Sequence, residues 1–198
     1  MRHRSALYLI TLLLSALAGC ASTPPSRFYI LSPVTAGAAA QPAGPATAIG
    51  VGPVELPNYL DRPQIAVRTG ANELRFSETH RWAEVLQEHV TGVLAENLAR
   101  LVPTDEVALF PWGRTVTIDF QVTVEVSRFD ADESGNVVLS ALWMLYREPN
   151  REVVVEKRTE VTEPVGDAGY PEIVAAQSRA LGSLSRQIAD AIRMAASR

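Results

Sequence analysis

The sequence predicts an α+β fold: a two-layer sandwich with a mostly antiparallel sheet and two main helices packed on one face. Three observations predict it. Apolar residues alternate with polar ones in TVTIDFQVTVEV, residues 115–126, which is the period of a half-buried strand. Two segments, residues 82–101 and 171–192, carry apolar residues at helical spacing instead. The remaining apolar runs are short and bounded by Pro, Gly, Asn and Asp, as strands joined by turns are. Strands and helices that cluster in this way pack as two layers around one core.

The first strand is FYIL, residues 28–31. Residues 35–47, TAGAAAQPAGPAT, form a flexible loop, since Pro and Gly interrupt the alanines. Residues 48–54 form the next strand. LPNYLDRP, residues 56–63, is a connection with two prolines. Residues 64–68 and 73–76 are short strands around the turn at 69–72. The first helix buries Trp82, Val85, Leu86, Val90, Val93, Leu94, Leu98 and Leu101; Ser77 or Thr79 caps its start and Pro103 closes it. After strand 115–126, a turn at 130–136 leads to residues 137–146. These are apolar at nearly every position, so that strand is central or buries a second face. Residues 151–161 complete an antiparallel meander. The last helix starts at Pro171, a favoured first-turn proline, and buries Val174, Leu181, Leu184, Ile188 and Ile192.

The 198 residues hold 18 Lys and Arg, 22 Asp and Glu, three His and one Cys. One cysteine excludes an intrachain disulfide and a multi-cysteine metal site. An acidic chain without a basic patch is a poor partner for nucleic acid, and none is expected. DADESGN, residues 130–136, has the spacing of an EF-hand start, but Ala141 stands where the bidentate Glu belongs. His80 and His89, nine apart on the expected helix, point to opposite sides. GVGP at 50–53 lacks the lysine and following helix of a phosphate loop. No G-x-S-x-G elbow is present. The expectation is a non-enzyme without cofactor or metal.

The single cysteine has a place. Arg2, His3 and Arg4 precede an apolar run over residues 6–17, too short for a bilayer span of about 20 residues. Leu17-Ala18-Gly19-Cys20 then resembles the bacterial lipobox. That resemblance implies cleavage between Gly19 and Cys20, leaving residues 1–19 as a lipoprotein signal peptide. It also implies a diacylglycerol on the Cys20 thiol and an acylated new amino terminus. More than one chain is what stable anchoring needs, at about 0.8 kcal/mol per buried methylene. Residues 20–27 are then a lipidated tether, and residues 28–198 a single domain. The loss of Arg2 and Arg4 with the leader takes the net charge from −4 to −6. Ala21, not Asp, follows the cysteine, which by the enterobacterial sorting rule favours the outer membrane, facing the periplasm.

Trp82 and Trp143, and Pro57, Tyr59 and Leu60 in the proline-framed loop, are candidate contacts for a partner or lipid, against plain core packing. The order of segments then resembles a known family. A lipobox precedes FYIL; then come VGPVELPNYLDRPQIAVR and NELRFSETHRWAEVLQEHVTGVLAENLARLVP. RFDADESGNVVLSALWML and GYPEIVAAQSRALGSLSRQIADAI follow. This is similar to the ABC-type transport auxiliary lipoproteins, in particular the PqiC-like group of the paraquat-inducible systems. V-x-L-P-x-Y-L through Tyr59-Leu60 and Arg81-Trp82-Ala83, read as a helix start, carry most of the likeness; many relatives have proline where Val85 stands. The resemblance implies a non-enzymatic subunit of an MCE-type lipid transport system. Its partners would be an MCE-domain protein with its ABC transporter or permease, with homo-oligomers permitted. The alternative is an envelope lipoprotein that activates a cell-wall synthase or assists lipopolysaccharide assembly.

Overall fold

A computed structural model describes residues 24–35, 47–102, 104–113, 115–167 and 169–197. The leader, Cys20, Pro103 and most of the 35–47 loop lie outside these residues. The chain runs β1 (Arg27–Tyr29), β2 (Ile49–Glu55), a 3₁₀ turn (Asn58–Leu60), β3 (Gln64–Gly70), β4 (Glu73–Trp82) and α1 (Leu86–Leu101). It continues through β5 (Val107–Leu109), β6 (Phe120–Asp132), β7 (Asn136–Arg147), β8 (Glu152–Pro164) and α2 (Tyr170–Ala196). Among the described residues the architecture is the expected α+β sandwich: two helices against one eight-stranded sheet.

The long pairings, β6 with β7, β7 with β8 and β3 with β4, are antiparallel. Shorter parallel pairings, β1–β4, β2–β5, β2–β6 and β3–β6, make the sheet mixed. β7 occupies one edge of β6 along Phe120 to Ala131. The other edge is shared: β2 takes Phe120 to Glu125, and β3 takes Ala131 and Asp132. The sheet therefore forks from β6 into two limbs, β2–β5 and β3–β4–β1. α1 lies on β2 and β5, α2 lies on β6, β7 and β8, and the helices meet each other.

β6 keeps its expected alternation only in part. Phe120, Val122, Val124 and Val126 are buried as their period demands. The strand starts at Phe120, not Thr115, because the preceding residues leave the sheet to cover β2. Ile118 and Trp112 lie over Gly50, where an added Cβ would stand 2.6 Å from Ile118 Cδ1. At the other end the strand outruns the expected turn. A register shift between Val126 and Arg128 moves the buried positions from even to odd numbers, so Phe129 and Ala131 point into the core. The turn is confined to residues 133–135, with Gly135 at φ 76°.

β7 is central, between β6 and β8. Val137, Leu139, Ala141, Trp143 and Leu145 face the core, while Leu142, Met144 and Tyr146 on the other face are half-buried. Among the described residues no other layer covers that second face; it lines a shallow concavity of about 230 Å³ with Pro53, Thr123 and Arg151.

The expected start of the first helix is corrected. Ser77, Thr79, His80, Arg81 and Trp82 belong to β4, and α1 begins at Leu86. β4 is held on both edges, by β3 and β1, and its end is fixed by Trp82 N–H to Pro63 O (2.7 Å) and Ala83 N–H to Tyr29 O (3.0 Å). These bonds outweigh the helical spacing of Trp82 and Val85. Ser77 caps no helix; its Oγ accepts the His80 N–H (3.0 Å), where β4 carries extra residues against β3. Val85 is the residue before the helix, with φ −61°, an angle that a proline ring also adopts.

Candidate functional site

Two constructions stand out, one on the sheet and one across the helices. The first explains Leu56-Pro57-Asn58-Tyr59-Leu60. The 3₁₀ turn at Asn58–Leu60 buries Leu60 and carries the Tyr59 hydroxyl to β6, where it donates to Asp130 Oδ2 at 2.7 Å. The Phe129 N–H donates weakly to the same hydroxyl (3.4 Å). The Asp130 carboxylate has no exposed surface. Arg68 reaches it from β3 with Nε to Oδ1 at 3.3 Å and Nη2 to Oδ2 at 3.2 Å; Arg128 Nε reaches Oδ1 at 3.0 Å. A buried carboxylate is stable only when paired and hydrogen-bonded, and here both oxygens are engaged. Burial and the neighbouring carboxylate push the Tyr59 phenol up to about 12. The hydrogen bond to Asp130 raises the Arg68 guanidinium above its ordinary value. Asp130 is thus the internal fastener of the β3–β6 junction and not a free ligand of a turn. Among the described residues, no three His, Cys, Asp or Glu side chains gather as a metal site.

The second construction is a strap made by the residues after β1. Leu31 is buried, Ser32 N–H donates to Ser178 Oγ (3.0 Å), and Val34 N–H donates to Asn97 Oδ1 (2.7 Å). The Arg100 guanidinium holds the Val34 carbonyl. Asn97 is fully buried in α1, and its amide donates to Ser185 Oγ in α2 at 2.9 Å. One asparagine therefore joins the strap and both helices. Gly182 makes room for it: an added Cβ would lie 2.8 Å from Val34 Cγ1. β1 is fixed likewise, since the Tyr29 hydroxyl bonds His80 Nδ1 (2.7 Å) and His80 stacks on Tyr170 with ring centroids 4.0 Å apart. His80 lies in β4 and His89 in α1, so they do not share a helix.

The candidate contact residues are brought together only in part. Leu60 and Trp82 are 4% exposed and Trp143 is 1% exposed; Trp143 donates its indole N–H to Thr159 Oγ1 at 3.0 Å. A partner touching the folded surface does not reach these three side chains. Tyr59 and Pro57 are partly covered, and Tyr59 is committed to Asp130. Cys20 and Gly19 lie outside the described residues. The apolar side chains that do face solvent are others. Phe28, Ile30 and Val85 sit where β1 ends and α1 begins, Leu109 and Phe110 sit at the end of β5, Val116 sits in the segment between β5 and β6, and Val153 and Met194 sit on β8 and α2. Asp130 and Asn97 were missed in the sequence; D-x-D beside Arg128 and a lone Asn among helical leucines were their only signals.

The forked sheet, the Asp130 fastener and the strap define a class: a small α+β domain whose N-terminal segment is built into the fold. Residues 29–189 match the family model described as the ABC-type transport auxiliary lipoprotein component. The chain belongs to that family, which is an auxiliary transport component and not an enzyme family. Similar solved structures include one described only as an uncharacterized protein, 22% identical, with a TM-score of 0.70 over 85% of this chain and 99% of that one. Another is protein XCC0632 from Xanthomonas campestris, 16% identical, with a TM-score of 0.68 over 87% of this chain and 100% of that one. At these identities the likeness is one of fold. Comparison with curated proteins gave no match.

Proposed function

We propose that this chain is the lipid-anchored periplasmic subunit of an MCE/ABC-type intermembrane lipid transport system, holding the MCE-domain protein at the outer membrane. The family match over residues 29–189 carries this reading, since it makes the chain an accessory of an ABC-type transporter. The leader supports it through Leu17-Ala18-Gly19-Cys20, with Cys20 acylated and residues 1–19 removed. The strap supports it mechanically. Residues 27–34 are bonded into the domain, so a pull on the tether acts on both helices and not on a loose tail.

The role is positional. Acyl chains hold the domain, and its exposed surface meets the end of the partner. Leu109 and Phe110 at the end of β5, with Val116 in the segment that follows, are exposed apolar side chains available to a protein partner or a second copy of this chain. Fractionation of the envelope tests the anchor. The wild-type chain is expected in the outer membrane and labelled by a fatty-acid probe. Cys20→Ser is expected unlabelled, unprocessed and absent from that membrane. Labelling of Cys20→Ser, or recovery of the wild type in the inner membrane, contradicts the reading.

A further inference from the structure

We propose that Phe28, Ile30 and Val85 form a membrane-contacting corner that lies on the phospholipid surface to which Cys20 is anchored; this rests on the lipoprotein reading above. Phe28 is 64%, Ile30 57% and Val85 55% exposed. Phe28 and Ile30 are two residues apart at an edge of the sheet and share a face, while Tyr29 between them turns in to His80. Val85 stands two residues beyond Ala83, whose N–H bonds the Tyr29 carbonyl. Three large exposed apolar side chains thus flank the point where the end of β1 is bonded to the end of β4.

The occupant follows from the length of chain before that corner. Arg27 stands seven positions after Cys20, a reach of about 25 Å when fully extended. β1 is paired to β4, and residues 31–34 are bonded to both helices, so no slack follows Arg27. The corner is therefore confined to the immediate neighbourhood of the acyl chains. Among the described residues the other exposed large apolar side chains lie on other elements: Leu109 ends β5, Phe110 and Val116 follow it, and Val153 and Met194 sit on β8 and α2. The acyl chains supply the affinity, and the corner supplies the angle at which the domain stands.

The test uses the full chain, processed in cells and reconstituted in vesicles of phosphatidylethanolamine and phosphatidylglycerol. Cys20 is the sole native cysteine and is consumed by acylation, so each new cysteine is the single free thiol. Phe28→Cys, Ile30→Cys and Val85→Cys are labelled with the fluorophore NBD, with Val153→Cys and Met194→Cys as equally exposed controls. Mass spectrometry of the Cys20 peptide is read on the same samples. The first three labels are expected to shift to the blue and to lose most of their emission when the vesicles carry doxyl-labelled acyl chains. The controls are expected to stay as in water. Labels at all five sites behaving alike in water, with Cys20 acylated, overturn the corner and leave the anchor standing. Labels that are shielded but not quenched by doxyl lipid overturn it in favour of a protein occupant. An unmodified Cys20 overturns the anchor and the corner together.

Discussion

The Tyr59 hydroxyl stands 2.7 Å from the carboxylate of Asp130, a residue with no exposed surface that Arg68 and Arg128 also hold. This contact ties the proline-framed turn to the centre of the sheet, at the point where the β3 limb leaves β6. It makes a tyrosine that reads as an exposed recognition residue into a fastener.

Removing the hydroxyl alone is expected to cost about 1.5–3 kcal/mol, the range for a hydrogen bond to a charged group. Tyr59→Phe should lower the unfolding free energy, read from urea denaturation, by that amount and leave the circular dichroism spectrum unchanged. Asp130→Ala should cost more, about 3–5 kcal/mol, because it leaves two arginines against an uncompensated buried site. If Asp130→Ala costs less than Tyr59→Phe, the carboxylate is not the centre of the cluster.

The same contact has a pH signature. Tyr59 rises from 10.0 to about 12 on folding, because burial and Asp130 disfavour the phenolate. A raised value stabilises the fold fully below pH 10, and that contribution is lost as pH rises from 10 through about 12. The stability difference between wild type and Tyr59→Phe should therefore be constant below pH 10 and shrink above it. Denaturation curves for both proteins across that window check the sign; a difference that grows with pH contradicts it.

Gly182 is expected to control the strap. Gly182→Ala adds a methyl 2.8 Å from Val34 Cγ1, while a helical alanine gains about 1 kcal/mol over glycine. Global stability should change little, yet the Val34 N–H should exchange faster with solvent and proteases should cut near residues 31–35. Val34→Ala in the same chain should restore protection. Hydrogen exchange of the single and double variants reads this directly.

Trp143→Ala should destabilise the domain by about 3–5 kcal/mol, as large-to-small changes of a buried aromatic do. Thr159→Val should cost less, through the unpaired indole N–H. If Trp143→Ala kept full stability and lost only partner binding, its place in the core would be contradicted.

The fold was largely legible because periodicity is a local signal. The alternation through Phe120, Val122, Val124 and Val126 and the helical spacing through Val90, Leu94 and Leu98 need no knowledge of the rest of the chain. The helix start was misplaced because Ser77 and Thr79 carry a cap signature that the two-sided pairing of β4 overrides. The end of β6 was misplaced because a bulge reverses the alternation, and Asp and Gly in residues 130–136 read as turn residues. The motif around Tyr59 was visible, but its meaning depends on Asp130, 71 positions away. The exposure of Phe28 and Ile30 was hidden for a similar reason. An apolar strand looks alike at an edge and in a core until its neighbours are known.

The proposed role is to hold an MCE-domain protein at the outer membrane through the lipid anchor. A crosslinked pull-down from outer-membrane fractions, through a tag on the carboxyl terminus, tests it directly. Recovery of an MCE-domain protein is expected from wild type, and its loss from Cys20→Ser. Recovery of a cell-wall synthase or of lipopolysaccharide assembly machinery, without an MCE-domain protein, would contradict it and move the same anchored fold to a different task.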